Sequence, residues 1–100
     1  MIYLTQLVYV HEGREATFHQ FEDIVLPLLA KYRGELVLRL RPDHASKIAG
    51  TADVPYELHI VSFHSEDDVA RYSKDEERQR VLHMKDESVR RTTLITGLLS

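Results

Sequence analysis

The chain has 100 residues, room for one domain and one core; 43% of them are apolar and 29% charged, the balance of a folded globular protein and not of a disordered tail or a coiled-coil rod. A net charge of −3 with both signs interspersed argues against a nucleic-acid or anionic-membrane binder. The absence of cysteine removes disulfides, thiolate catalysis and cysteine-held metal sites together, and fits a reducing compartment.

Residues 2 to 10, Ile-Tyr-Leu-Thr-Gln-Leu-Val-Tyr-Val, are apolar on both parities, which predicts a strand buried on both faces and therefore central. Nothing in Met1-Ile2-Tyr3-Leu4-Thr5-Gln6 reads as a signal peptide, and no apolar run reaches the roughly 18–20 residues of a membrane span, so a cytoplasmic location is expected. After His11-Glu12-Gly13-Arg14, the residues Phe18, Phe21, Val25, Leu28, Leu29 and Tyr32 form one helical stripe, and Gly34 is the expected left-handed stop. Pro27 lies inside that stripe and should kink the helix near Asp23; two shorter helical pieces are the alternative. Glu15, His19, Glu22 and Asp23 have metal-ligand spacing on this helix but read as a solvated face, so no metal is expected.

Residues 35 to 41 alternate, with Leu36, Leu38 and Leu40 against Val37, Arg39 and Arg41, a strand with one apolar and one mixed face. Pro42 ends it and opens a long loop to residue 55, in which His44 is a candidate lid residue. Residues 56 to 63 alternate again, placing Glu57, His59, Val61 and Phe63 together. Ser65-Glu66-Asp67-Asp68 and Ser73-Lys74-Asp75-Glu76 read as two helix starts, the second helix reaching about Glu87. Arg91 to Leu99 forms a last strand.

Taken in order, these elements predict an α+β, ferredoxin-like βαββαβ fold. Its antiparallel sheet has strands one and three in the centre and the helices on one face. The other face would present Val37, Val61 and Phe63, an apolar surface that a second copy would cover. A monomer of this size buries only about 60–65% of its unfolded surface, so a partner chain would also add stability.

From Pro55 to Leu98 the chain resembles a small bacterial family of unknown function (DUF1330-like) in the dimeric α/β-barrel superfamily. The likeness rests on Glu57-Leu58-His59-Ile60-Val61-Ser62-Phe63, Ser65-Glu66-Asp67, Asp75-Glu76-Glu77-Arg78-Gln79-Arg80-Val81-Leu82 and Ser88-Val89-Arg90-Arg91-Thr92. A looser match runs through Phe21, Pro27 and Tyr32-Arg33-Gly34. The resemblance implies the fold and a homodimer. Its wider superfamily includes antibiotic-biosynthesis-type monooxygenases that work without a cofactor, haem-degrading enzymes and simple ligand binders. It transfers no catalytic position.

His59 shares a face with Glu57, and the neighbouring strand offers Arg39 and Arg41. One reading is a polar pocket with His59 as base, Arg39 or Arg41 stabilising negative charge, and Glu57 and Tyr9 contributing to binding. The other is a cross-strand ion pair that fixes register at the dimer interface. The chain is thus expected to be a small-molecule-binding homodimer, and alternatively a cofactor-independent enzyme acting on an aromatic or enolisable substrate.

Overall fold

A computed structural model describes residues 1–98. The elements are β1 (Ile2–Val10), α1 (Glu15–Val25), a 3-10 segment (Leu26–Tyr32), β2 (Glu35–Leu40), β3 (Glu57–Phe63), α2 (Glu66–Ser73), α3 (Glu76–Ser88) and β4 (Val89–Leu98). The four strands pair antiparallel in the order β2-β3-β1-β4, so β1 and β3 are central, β1 as its two-sided apolar character predicts and β3 as the crossover topology predicts. This is the ferredoxin-like arrangement. The expected strand residue Leu99 lies outside the described residues.

The first helical stretch is two pieces and not one kinked helix. Pro27 has no N–H to donate, so the α-helical ladder closes at Leu26 and the chain tightens into the 3-10 segment. That segment ends on Arg33, which takes the left-handed conformation (φ 56°) expected of Gly34, while the Gly34 N–H bonds back to Leu29. The glycine serves a different end. A Cβ there would stand 2.8 Å from the Phe63 ring, so its missing side chain lets the segment seat on β3. Asp75 caps α3 and also accepts hydrogen bonds from Lys31 and Tyr32, while Arg33 reaches Asp68; these contacts tie the 3-10 segment to α2 and α3.

Register decides which side chains the helices cover. Ile2, Leu4, Gln6 and Val8 oppose Phe63, Val61, His59 and Glu57, and this set faces the helices. Val61 and Phe63 are therefore core residues under the 3-10 segment and α2, which corrects their expected place on the open face. In β2 the pairing slips between Leu36 and Leu38, so that Val37 is an extra residue. Leu36 opposes Val61, whereas Leu38 opposes Ile60 and Arg39 opposes His59. The bulge thus separates Leu36 from Leu38 and Leu40, which simple alternation would keep together. It also leaves Arg39 aimed under the helices. The open face carries Leu7, Leu38, Leu40, Leu58, Ile60 and Ile95; Leu38 is 42% exposed, Leu40 41% and Ile95 55%.

Candidate functional site

Arg39, Arg41, Glu57 and His59 do meet, as the alternation of β2 and β3 predicts. They meet beneath α1 and not on the open face, the face expected to meet a second copy. Glu57 is 1% and His59 2% exposed. Arg39 spans both carboxylate oxygens of Glu57, at 2.8 and 3.2 Å, and Arg41 closes on the second oxygen. His59 Nε2 lies 2.7 Å from the first. Burial works against ionisation of Glu57, but the hydrogen bonds from His59, Arg39 and Arg41 outweigh it and hold the carboxyl at about 2. An ionised carboxylate only accepts, so Nε2 carries the hydrogen and donates it to Glu57. Phe18 stacks on the His59 ring, with planes 15° apart, and fixes its orientation.

Both arginines are committed to Glu57. Their expected role as donors to a ligand would have to be shared with this carboxylate, from side chains 26% and 48% exposed. Tyr9 is not brought to this cluster and lines a different cavity. It lies on the opposite face of the sheet, 3% exposed, where its hydroxyl donates to the Asp53 carbonyl and its ring lies under Arg90 and Arg91.

The other edge of His59 leads elsewhere. Its Nδ1 lies 3.8 Å from Glu22, which is 7% exposed. Burial raises the Glu22 carboxyl above its ordinary value. Glu22 and His59 both line a cavity of about 70 Å³ between the sheet and the helices. Its other polar lining comes from Gln6, Tyr72, Arg78 and Lys85, and its apolar lining includes Val25, Leu29 and Val61. The Tyr72 hydroxyl donates to the Val25 carbonyl, and burial pushes it up to about 12. Burial lowers Lys85, and the neighbouring Arg78 lowers it further. The buried Nε–H of Arg78 has no hydrogen-bond partner.

The helix face expected to be solvated is therefore mixed. Asp23 is exposed and Glu15 caps the Gly13 N–H, but His19 bonds the Tyr56 hydroxyl at 2.6 Å and Glu22 is buried. Glu22 carries a signal that stripe-reading passes over, since it falls four residues after Phe18 and three before Val25, in phase with the apolar stripe. Arg78 and Lys85 carry a fainter one. They lie seven apart on α3, on the face that also bears Val81 and Leu82.

Neither a family model nor a curated protein matches the chain. Solved structures do. A protein of unknown function from Rhodopseudomonas palustris superposes with a TM-score of 0.82 at 12% identity, covering 96% of this chain and 79% of that one. A dimeric protein of unknown function with a ferredoxin-like fold from Bacteroides fragilis gives 0.70 at 12%, covering 98% and 95%. A Nitrosomonas europaea protein that carries the name of an antibiotic biosynthesis monooxygenase gives 0.74 at 10%, with both chains fully covered. These likenesses establish the ferredoxin-like fold. The narrower DUF1330-like resemblance rests on the sequence segments alone.

Proposed function

We propose that this protein binds a small molecule in the cavity between α1, α3 and the sheet, and that it does so as a homodimer. The observation that carries the binding reading is the lining. A buried guanidinium N–H without a partner, a lysine whose charge is disfavoured and a carboxyl resisting ionisation converge on one space. A core built for stability alone would leave such groups out or pair them. At about 70 Å³ the cavity lies well below the several hundred Å³ of a drug-sized site, so the ligand is of few heavy atoms. A thermal-shift screen of small metabolites tests the reading against Val25→Trp, which fills the space. A ligand at 100 times its Kd stabilises by about 2.7 kcal/mol. A melting rise in the wild type that Val25→Trp abolishes supports the reading, and a rise shared by both refutes it.

The dimer reading rests on the open face, whose aliphatic side chains remain 41–55% exposed at Leu38, Leu40 and Ile95. The like-folded Bacteroides protein is described as dimeric, which points the same way. Light scattering should give twice the chain mass, and Leu38→Glu with Leu40→Glu should give single chains. A wild type that scatters as one chain at micromolar concentration ends this reading.

One geometric fact favours a second, catalytic reading. Glu57, clamped by two arginines, orients His59 from behind and leaves Nδ1 toward the cavity. That is the order of groups needed for a general base. An enolisable carbonyl compound bound there would lose an α-proton to Nδ1, the C–H pair remaining as the enolate and Glu57 stabilising the imidazolium. Proton NMR in D2O should show faster loss of the α-proton signal with wild type than with His59→Gln. Equal rates retire the catalytic reading.

A further inference from the structure

We infer that the ligand of this cavity is a short-chain aliphatic carboxylate, its carboxylate held by Arg78 and Lys85 and its alkyl end by Val25, Leu29 and Val61. The inference rests on the cavity being a ligand site and goes on to name the chemistry that site recognises.

The lining is polarised. The cations enter from α3, where Arg78 and Lys85 lie seven residues apart on one side of the helix. Aliphatic side chains enter from α1, the 3-10 segment, β1, β3 and the start of β4, with Glu22 and His59 among them. A ligand that satisfies both ends has a charged or strongly accepting head and a short apolar tail. The sign of the head follows from what the lining already pairs. Among the described residues, Glu22 has the His59 ring as its polar neighbour, at 3.8 Å, and no carboxylate lies within ion-pair distance of Lys85. The Arg78 guanidinium lies over the Tyr72 ring and is spent on weak contacts there, a hydrogen bond to the Tyr72 hydroxyl and a long 3.4 Å bond from Nη1 to the Ser73 carbonyl. Its Nε–H is buried and free. A buried donor left in that state costs the full desolvation of the group, and a partly buried cation beside a second cation costs more. Both costs are relieved by one acceptor that carries negative charge.

Shape and size narrow that acceptor. A carboxylate offers two coplanar oxygens with one charge, one oxygen for the Arg78 Nε–H and one for the Lys85 ammonium. The Gln6 amide lines the same space and can supply a further N–H. A phosphate would bring more oxygens and up to two charges into a cavity of about 70 Å³ whose remaining lining is largely aliphatic and includes the Glu22 carboxyl. Glu22 lines the same space and competes for these cations. Burial favours its neutral form, which leaves the positive charge of α3 for the ligand.

The probes are sodium butyrate, its neutral isostere butyramide, and inorganic phosphate, titrated into the full chain at fixed ionic strength. Binding is followed by melting temperature and by the Arg78 Nε–H resonance. Butyrate should raise the melting temperature and shift that resonance, while butyramide and phosphate bind at least tenfold more weakly. Arg78→Lys keeps the charge but loses the Nε donor, and Lys85→Met loses the second cation. Each should weaken butyrate at least tenfold while leaving a cooperative melt. Should butyramide bind as tightly as butyrate, or butyrate bind both variants as it binds wild type, the carboxylate inference falls and the cavity reading stands. Should phosphate bind best, the inference falls in favour of another anion. If no probe binds and the metabolite screen also finds nothing that Val25→Trp abolishes, both fall together.

Discussion

His59 separates two clusters of the same composition, a carboxylate and two cations, that end in opposite states. On the strand side, Glu57 takes hydrogen bonds from Arg39, Arg41 and His59, and every group has a partner. On the helix side, Glu22, Arg78 and Lys85 line one cavity without pairing to one another, and a buried donor is left over. The carboxyls respond accordingly, Glu57 held at about 2 and Glu22 raised by burial. The difference is one of geometry. Cross-strand neighbours in β2 and β3 stand within direct reach, and the Val37 bulge brings Arg39 opposite His59. Side chains from α1 and α3 instead face each other across a gap. A satisfied cluster holds structure; an unsatisfied one has valence to offer a ligand.

The sharpest way to break this contrast is to remove the shared carboxylate. Glu57→Gln leaves two arginines and a buried histidine facing a neutral amide, and should cost about 3 kcal/mol, the low end for a broken buried pair because Arg39 and Arg41 are partly exposed. Urea unfolding measures it, and a cost below about 0.5 kcal/mol would place the cluster among surface ion pairs of little worth. Arg39→Met should cost less, about 1–2 kcal/mol, since Arg41 and His59 still hold Glu57. Lys85→Met is the matching change on the helix side. It removes a cation without an ion-pair partner among the described residues and should be neutral, or stabilising by up to about 1 kcal/mol. Comparable losses for Arg39→Met and Lys85→Met would erase the distinction between the clusters.

The strand-side cluster is legible in the sequence because strand alternation is rigid. Glu57 and His59 share a face by spacing alone, and Arg39 and Arg41 share one on the adjacent strand. Which face the helices cover is not legible, since β1 is apolar on both parities and Val61 and Phe63 suit either side. Nor is the bulge, because Val37 carries no local mark of being an extra residue. The helix-side cluster escapes for another reason. Glu22 looks like the solvated residues Glu15 and Asp23 beside it, and only the phase of Phe18 and Val25 turns it inward. Arg78 and Lys85 lie on a helix that is charged on most sides, where no stripe singles them out. Tyr9 falls on the face of β1 away from this cavity, which a strand apolar on both parities does not reveal.

The two carboxyls should also separate by pH, and in opposite directions. Glu57 is lower in the folded state than its ordinary 4.5, so the stability it contributes is fully present above about pH 4.5 and is lost as pH falls toward about 2. Glu22 is raised, so its ionised form opposes folding at neutral pH. Acidification through its folded value relieves that cost, and the relief is complete below its unfolded value of 4.5. Glu22→Gln removes that dependence while keeping the shape. The variant should therefore melt above wild type at pH 7, by the smallest margin of the series, and the two curves should converge as pH falls to about 4.5. Below that both should decline together, because Glu57 is intact in each. A Glu22→Gln protein that is less stable than wild type at pH 7 and equally stable at pH 4 would reverse the sign. The helix-side carboxylate would then be a satisfied partner of the α3 cations, with nothing left for a ligand to complete.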